Sequence, residues 1–271
     1  MPELPEVETI ARQLRDAGAE GRRIVGVEIF HPPLAEGGAE RLARGLVGRR
    51  LDRIGRRGKW LLFHLDTGSA LLVHLRMSGA FALEEGPHDR ARLRLEGGLV
   101  LHFRDPRKFG RWRLEPDPAG FLAGLAPDGL SVELPAFRER LRRFPRRGLK
   151  ALLLDQRAVV SGIGNIYADE ALWRARLHPA RRAETLSAAD ERRLHRAVRS
   201  VLEDGVRGRG VSIGEGRGDF RDLHGRLGGH GPRTAAYGRA GKPCLRCGKP
   251  LEKARIAGRT TVYCPACQPP P

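Results

Sequence analysis

The stretch Cys244–Cys267, CLRCGKPLEKARIAGRTTVYCPAC, contains all four cysteines of the 271-residue chain. They form two Cys-x2-Cys pairs with sixteen residues between the pairs. Two chelating pairs at that separation can close a tetrahedral four-thiolate site on a small hairpin, and in a reducing compartment this spacing favours a metal over disulfides. The sequence therefore predicts one structural zinc ion (Zn²⁺), with no open position for a reacting water. Its ligands would be Cys244, Cys247, Cys264 and Cys267.

The charge of the chain indicates a polyanionic partner. Fifty Lys and Arg residues stand against 32 Asp and Glu residues, so the formal net charge is +18, far more than solubility requires. The excess is uneven, since residues 1–130 carry 21 basic and 18 acidic side chains, net +3, whereas residues 131–271 carry 29 and 14, net +15. We therefore expect the second half to hold most of the polyanion.

The composition also excludes several classes of protein. With 40% hydrophobic residues in short periodic runs, the chain is not disordered throughout. No apolar run approaches the roughly 18 to 20 residues that span a bilayer, so neither a transmembrane helix nor a membrane partner is expected. The first residues, 2–8, are acidic where a targeting peptide would be basic. The cytosol is the expected compartment, and DNA is an accessible polyanion there.

Hydrophobic periodicity divides the chain into a β part and a helical part. Helical spacing predicts an amphipathic helix over 3–17, and a stretch rich in Pro and Gly, 116–135, predicts a linker. Short alternating runs, typical of an antiparallel sandwich or barrel, predict strands at 24–27, 60–63, 71–73, 93–95, 99–103 and 112–114. Further helices are predicted at 137–144, 149–157, 166–175 and 188–202, the last with Ser187 as N-cap. Ten glycines within 205–231 predict a mobile loop.

The amino terminus offers a candidate nucleophile. A small residue after Met1 permits removal of Met1, which would leave Pro2 with a free secondary amine beside Glu3. An α-amino group has a pKa of about 8, and an amine can form a Schiff base with a carbon at the aldehyde level. Glu3 would be the adjacent acid or base. A proline in the first turn is also simply a good helix start, so this dipeptide alone leaves both interpretations open.

Several loops carry residues suited to nucleic acid. Residues 105–110 put two cations and an aromatic ring on a turn, which fits either a wedge inserted into duplex DNA or an ordinary cationic hairpin. Residues 74–79 offer a second wedge, Met77, although a Met at a strand end more often belongs to the core. Residues 162–167 contain Asn165, the one asparagine of the chain, and suit an anion-binding loop or a plain N-cap turn.

Lysines are informative because the chain has 44 arginines and only six lysines. Lys59 and Lys150 lie outside the metal-binding segment, and a lysine can bind phosphate as a point charge or transfer a proton. Each is more often an ordinary surface charge. Arg259, at the expected tip of the hairpin between the cysteine pairs, is placed either for a phosphate or as a solvated turn residue.

Together these motifs resemble the formamidopyrimidine-DNA glycosylase and endonuclease VIII family of base-excision-repair enzymes. The opening MPELPEVET, residues 1–9, is similar to the formamidopyrimidine branch. The resemblance continues to residue 268 through ordered motifs at 58–60, 74–79, 105–110, 153–156, 162–170 and 237–239 and through the cysteine segment.

The resemblance implies an α+β fold. Residues 1–125 would form a catalytic β-sandwich with flanking helices, and residues 126–136 a linker. Residues 137–235 would form a helix-two-turn-helix DNA-binding domain, and residues 236–271 the four-cysteine zinc finger. The implied activity is that of a bifunctional DNA glycosylase and AP lyase acting on damaged double-stranded DNA, as a monomer in the bacterial cytosol.

The resemblance also implies roles for individual residues. Pro2 would attack C1′ of the damaged nucleotide, and the resulting Schiff base would drive β- and then δ-elimination, with Glu3 moving the protons. The matching positions for further proton transfer and phosphate contact are Lys59 and Arg259. The implied DNA contacts are His74, Met77, His88, Arg107, Phe109, Arg146, Lys150 and Asn165, and Glu6 would line the lesion pocket.

Three features depart from the family pattern. The stretch 155–165 is one residue longer than in the family pattern. Residues 211–231 are a glycine-rich variant of the family's lesion-capping loop, in which only residues 219–222 match. Arg76 stands where the family usually has Gly. The substrate thus stays open between oxidised purines, 8-oxoguanine and formamidopyrimidines, which is our first hypothesis, and oxidised pyrimidines. A non-enzymatic zinc-finger DNA-binding protein is a third hypothesis.

Overall fold

A computed structural model describes residues 2–212 and 220–270 of the chain. The chain divides into two compact units, of which the first combines Met1–Ala123 with Val206–Gly231 and the second combines Gly124–Gly205 with Pro232–Pro271. No helix within the described residues is long and apolar enough to cross a membrane.

The first unit begins with helix α1, Leu4–Asp16, which confirms the predicted amino-terminal helix. Glu3 is its N-cap, and a capping box forms because the Glu3 side chain accepts the Glu6 N–H while the Glu6 carboxylate accepts the Glu3 N–H at 2.8 Å. Pro5 fits the first turn, where its missing N–H costs nothing. The buried apolar stripe of the helix consists of Val7, Ile10, Ala11 and Leu14.

Eight strands of the first unit form two antiparallel sheets, which confirms the predicted sandwich. They are β1 (Ile24–Ile29), β2 (Leu51–Arg57), β3 (Trp60–Leu65), β4 (Ala70–His74), β5 (Ala80–Ala82), β6 (Asp89–Leu95), β7 (Val100–Arg104) and β8 (Arg111–Glu115). The sheet orders are β1-β6-β7-β5 and β2-β3-β4-β8. All six predicted runs lie in these strands to within one residue. Two short helices accompany the sheets, α2 (Ala39–Leu46) and α3 (Pro118–Ala123), so part of the predicted linker is helical.

An aromatic cluster joins the two sheets. Phe81 and Phe103 come from one sheet and Phe63 and Trp112 from the other, and none is more than 1% exposed. The ring centroids of Phe81 and Phe103 are 5.3 Å apart, and those of Phe103 and Trp112 are 5.4 Å apart. Such pairs contribute about 0.5–1.5 kcal/mol each beyond the area they bury. The cluster therefore fixes the strand ends from which the loops 75–79 and 105–110 depart.

The second unit contains helices with a small hairpin. The helices are α4 (Leu134–Arg142), α5 (Leu149–Leu154), α6 (Asn165–Ala175) and α7 (Ala188–Arg207). The four predicted helices are thus present with shifted ends. Helix α5 stops early because Asp155 closes a turn, with its carbonyl accepting the Ala158 N–H and its carboxylate accepting the Arg157 N–H. Ser187 caps α7 as predicted, since its Oγ accepts the Asp190 N–H at 3.1 Å.

The hairpin between the cysteine pairs consists of β9 (Glu252–Ile256) and β10 (Arg259–Tyr263). Its tip is formed by Ala257 and Gly258, which both have positive φ, 53° and 71°. Such a two-residue turn matches the twist of the flanking strands. Arg259 is therefore the first residue of β10 and not part of the tip, which corrects the predicted placement.

The glycine-rich segment is more ordered at its flanks than the sequence predicts. Helix α7 continues to residue 207, Val211 pairs with Gly229, and Phe220 and Leu223 are buried in the core of the first unit. These apolar anchors explain why Val206–Gly231 belongs to the first unit, whereas the sequence placed it in the domain 137–235. The central part of the predicted loop, 213–219, lies outside the described residues.

Candidate functional site

The first candidate site surrounds the amino terminus in the first unit. Pro2 is buried and contributes to a cavity of about 140 Å³. The cavity wall includes Met77, Phe81, Arg104, Phe220 and Asp222. Glu3, adjacent to Pro2, is 1% exposed and held by the capping box of α1. The fold thus places a candidate nucleophile at a cavity, with a fixed carboxylate on the next residue.

Glu6 has a supporting position in this site. It is 1% exposed and, among the described residues, is not part of the cavity lining, although the sequence predicted it there. Its carboxylate accepts N–H groups from Glu3 at 2.8 Å and from Val211 at 2.7 Å. Burial, followed by the neighbouring charge of Glu3, raises the pKa of Glu6. Glu6 therefore fixes the backbone at Glu3 and at Val211.

His74, at the end of β4, is a neutral hydrogen-bond donor at physiological pH. Burial, followed by the positive charges of Arg76 and Lys59, lowers its pKa to about 3. Its Nδ1 accepts the Arg76 N–H at 3.0 Å, so the ring proton is on Nε2. The Trp60 ring holds it edge-on at 4.9 Å. A neutral imidazole in this state can donate to a phosphate without adding charge.

Lys59 lies in the tight turn between β2 and β3. Gly58 precedes it with φ +56°, a value that favours glycine, and allows a two-residue connection between the strands. Lys59 is only 7% exposed, so it is not the ordinary surface charge that its residue type suggests. Trp60, the next residue, pairs with His74 across β3 and β4, which places the two predicted residues near each other.

Two loops expose large apolar side chains at the same end of the sandwich. Met77 is 39% exposed and Phe109 is 44% exposed, and the Arg107 guanidinium lies 5.0 Å from the centre of the Phe109 ring. Apolar side chains of this size are normally buried, and here they project beside a cation. The structure thus brings together Met77, Arg107 and Phe109, the three residues predicted to act as a wedge.

Asp105 joins the two loops, a role that the sequence did not reveal. It is 1% exposed, its Oδ2 accepts the Gly110 N–H at 2.7 Å, and its Oδ1 accepts a short hydrogen bond from the Ser78 hydroxyl. Its own N–H donates to the carbonyl of His88 at 3.0 Å. His88 itself is exposed, with φ +70°. One buried carboxylate therefore sets the relative position of both wedge loops.

The second candidate site lies in the second unit at the start of α6. Asn165 donates from Nδ2 to the carbonyl of Thr260 at 3.0 Å, which holds the hairpin against the helix. An open cavity of about 620 Å³ at this point is lined by Asn165, Tyr237, Lys253, Arg255 and Arg259. Two predicted residues, Asn165 and Arg259, thus meet in one strongly basic cavity. Arg146 is exposed in the turn before α5 and is not part of it.

Lys150 does not fit the predicted role of a phosphate clamp. Its side chain is 0% exposed, and its Nζ donates to Asp169 Oδ1 at 2.6 Å and to Thr261 Oγ1 at 2.7 Å. Asp169 in turn accepts the Val262 N–H at 3.0 Å. Burial raises the pKa of Asp169 to about 6 although the Lys150 charge opposes it. Lys150 therefore supports the hairpin from inside the second unit and does not line the basic cavity.

Glu170 is a further supporting residue that the sequence reading missed. Its carboxylate accepts three successive backbone N–H groups, from Ala235 at 2.9 Å, Ala236 at 2.8 Å and Tyr237 at 2.9 Å. It is 3% exposed. A carboxylate that binds three N–H groups fixes the chain that brings Tyr237 to the cavity.

The four cysteines fit the predicted zinc ion. Their Sγ atoms all lie within 4.8 Å of one another, and Zn–S bonds of about 2.3 Å would place the sulfurs of a tetrahedron about 3.8 Å apart. Trp173 donates its indole N–H to Cys244 Sγ at 3.4 Å, and the Cys267 N–H donates to Cys264 Sγ at 3.3 Å. Such donors stabilise thiolates, so the residues suit a bound metal. A zinc ion there would hold the cysteine loops together at the base of the hairpin.

Comparison with known proteins identifies the class. Family models match three consecutive parts of the chain, namely the formamidopyrimidine-DNA glycosylase N-terminal domain at residues 1–112, its H2TH domain at 124–215, and the zinc finger found in FPG and IleRS at 241–270. This combination defines a DNA glycosylase of base excision repair. The chain belongs to the formamidopyrimidine-DNA glycosylase family, which confirms the predicted resemblance, fold class and zinc finger.

Individual relatives match over nearly the whole chain. Formamidopyrimidine-DNA glycosylase of Thermus thermophilus is 46% identical over 276 residues, which cover 99% of this chain and 98% of the relative. Two Lactococcus lactis Fpg structures each cover 99% of this chain and all of their own. One, a variant bound to DNA containing Fapy-dG, is 33% identical with a TM-score of 0.89. The other, bound to DNA containing an oxidised pyrimidine, is 32% identical with a TM-score of 0.88.

Proposed function

We propose that the protein removes oxidised purines, 8-oxoguanine and formamidopyrimidines, from duplex DNA and then cleaves the strand. The observation that carries this proposal is the position of Pro2 at a cavity, directly before the fixed carboxylate of Glu3. In the proposed reaction, removal of Met1 frees the Pro2 amine, which attacks C1′ of the damaged nucleotide. The bond from C1′ to the base breaks, and the base leaves with the bonding electrons and takes up a proton.

Glu3 supplies the proton that opens the sugar ring. Protonation of the ring oxygen leaves an iminium, the Schiff base, between Pro2 and C1′. Loss of a proton from C2′ then expels the 3′ phosphate by β-elimination, and a second elimination expels the 5′ phosphate. Lys59, which is nearly buried beside His74, is the proposed second proton carrier.

The remaining residues hold the DNA. We assign His74, Asn165 and Arg259 to the phosphates near the lesion, because each presents a donor or a cation at one of the two candidate sites. Met77 and Phe109 fill the gap left by the extruded base, and Arg107 faces the orphaned partner, usually cytosine. The exposed residues His88 and Arg146 provide outer contacts. We propose that the protein acts as a monomer, and the bacterial relatives support the cytosol and nucleoid as its location.

Borohydride trapping tests the mechanism. A duplex with one 8-oxoguanine opposite cytosine should give a covalent adduct that peptide mapping locates at Pro2. Glu3→Gln is the matched control, because it keeps the amine but removes the proton donor. It should give no adduct on the 8-oxoguanine duplex, because the sugar ring is not opened, yet still trap on a duplex that already contains an abasic aldehyde, whose ring opens without it. An adduct elsewhere, or no adduct on either duplex with Met1 removed, refutes the mechanism and leaves a DNA-binding protein without this chemistry.

Oxidised pyrimidines are the second candidate substrate. The observation in their favour is the relative bound to DNA that contains an oxidised pyrimidine. Single-turnover rates on duplexes that differ only in the lesion separate the two candidates. We expect the oxidised purines to react faster, and a faster reaction with an oxidised pyrimidine would reverse the assignment.

A further inference from the structure

Gln13 connects helix α1 to one wall of the Pro2 cavity. It lies seven residues after Glu6, which is close to two turns, or about 10 Å, further along the same face of the helix. Its side chain is 8% exposed. The Gln13 Nε2 donates to Asp222 Oδ2 at 2.8 Å, and its Oε1 accepts the Leu223 N–H at 2.9 Å. Both ends of the amide are therefore used on the same short segment.

Asp222 is the residue that shapes this segment. It is 2% exposed, and its Oδ1 accepts the N–H groups of His224 at 3.0 Å and Arg226 at 2.9 Å. Its Oδ2 accepts from Arg226 Nε at 3.1 Å as well as from Gln13. Burial raises the pKa of Asp222, but these hydrogen bonds outweigh it and hold the pKa below its ordinary value. The carboxylate closes the turn 222–226, and Gln13 fixes that turn to the helix.

The turn fixed in this way is part of the cavity at Pro2. Phe220, Arg221, Asp222 and Gly225 line the same cavity as Pro2. Glu6 holds the other described flank of the segment through the Val211 N–H. Pro2 and Glu3 thus precede helix α1, while Gln13 on that helix holds the turn that lines the Pro2 cavity and Glu6 holds the start of the same segment.

We propose that Gln13 is a positioning residue that sets this wall relative to Pro2, so that it controls recognition and release of the damaged base but not the later cleavage of the strand. The inference rests on the proposed function and adds to it that the Pro2 cavity receives the base. Strand cleavage at an abasic site has no base to place there and uses only the amine and the proton carriers. Gln13 should therefore affect one half of the reaction.

The test compares two substrates for each variant of the full-length zinc-loaded protein. Gln13→Leu keeps the size of the side chain and removes both hydrogen bonds. We expect kcat/KM for base release from an 8-oxoguanine duplex to fall about tenfold, mainly through KM, because two hydrogen bonds of modest net strength are lost. Cleavage of a duplex with a preformed abasic aldehyde should stay within about twofold of the wild-type rate.

A charge exchange provides the matched control. Gln13→Glu removes the donor and sets a second carboxylate against Asp222, so base release should fall at least as far as in Gln13→Leu. Adding Asp222→Asn restores a donor and an acceptor between positions 13 and 222 in reversed order, although Arg226 Nε loses its acceptor, and should recover part of the lost kcat/KM. This rescue also decides the question if Gln13→Leu alone fails to fold.

Each outcome has a definite meaning. Equal losses of activity on the two substrates would show that Gln13 only stabilises the protein. The proposal would also be overturned if neither substrate reacted more slowly, or if the exchange did not rescue base release. A wild-type protein that acts on neither duplex would instead refute the proposed function. The two failures are therefore distinguishable.

Discussion

Replacing Lys150 with Met tests whether this lysine acts on DNA or within the protein. Its ammonium lies 2.6 Å from Asp169 Oδ1, and both side chains are 0% exposed. Removal of one partner from a buried ion pair costs roughly 3–5 kcal/mol, because the other charge stays buried without compensation. We expect the free energy of unfolding to fall by that amount, which corresponds to a Tm lower by roughly 6–20 °C for a protein of this size.

The loss should depend on pH, with a sign that follows from the pKa of Asp169. That pKa is raised from 3.8 to about 6, so the folded state binds the proton more tightly than the unfolded chain does. This carboxyl therefore favours the folded state fully below pH 3.8, and the contribution is lost as the pH rises through about 6. Without the Lys150 charge the pKa of Asp169 rises further. Lys150→Met should consequently cost less at pH 5 than at pH 8.

Urea unfolding followed by circular dichroism at both pH values measures these free energies, and fluorescence anisotropy gives the DNA affinity of the folded variant. The double variant Lys150→Met with Asp169→Asn is the control, since Asn is neutral and keeps an acceptor for the Val262 N–H. It should recover most of the stability. An unchanged free energy of unfolding combined with a tenfold weaker affinity for DNA would show that Lys150 contacts a phosphate directly, and the reasoning from burial would be wrong.

Three further predictions concern other parts of the two sites. Arg76→Gly should raise the free energy of unfolding by about 0.5–1 kcal/mol, because the backbone at Arg76 has φ +55° and strains a non-glycine residue. A variant whose free energy of unfolding, measured by thermal unfolding, is lower than that of the wild type would contradict this. His74→Ala should leave the slope of log Kd against log salt concentration unchanged, because His74 with a pKa of about 3 is neutral. Arg259→Ala should reduce that slope by about 0.9. Equal changes of slope in the two variants would show that His74 is charged. Chelation should release one zinc ion per chain and weaken DNA binding reversibly, because the hairpin that carries Arg259 loses its base; retained affinity in a metal-free protein would refute this.

The sequence predicted what depends on local pattern. The alternation of residues 99–103 and the helical spacing of 3–17 reflect one buried face each, and both elements formed where expected. The cysteine spacing was equally informative, since a hairpin between two chelating pairs brings the four sulfurs together. Such features depend on residues that are close together in the chain, so a single sequence is enough to predict them.

Burial of individual charged residues could not be predicted in this way. Lys150 is neutralised by Asp169, 19 residues away, and donates a hydrogen bond to Thr261, 111 residues away, so its environment depends on how separate elements pack. Arg76 was visible as a departure from the family pattern, but only the backbone angle shows why glycine suits that position. Gln13 carried no signal, because its partner is more than 200 residues further along the chain.

Four buried carboxylates share one function that the net charge of +18 conceals. Each of the four holds a segment that brings a candidate functional residue into place, and each accepts at least one backbone N–H group. Asp105 holds the wedge loops, Asp169 the hairpin, Glu170 the approach to Tyr237, and Asp222 the wall opposite Pro2. A buried carboxylate needs several donors to offset its desolvation, and loop backbones supply them without further charge. In a chain with so many arginines, an exposed acid would weaken the attraction for a polyanion, whereas a buried acid rigidifies the loops that carry the cations. The acidic residues of this chain are therefore as much a part of its DNA-binding design as the basic ones.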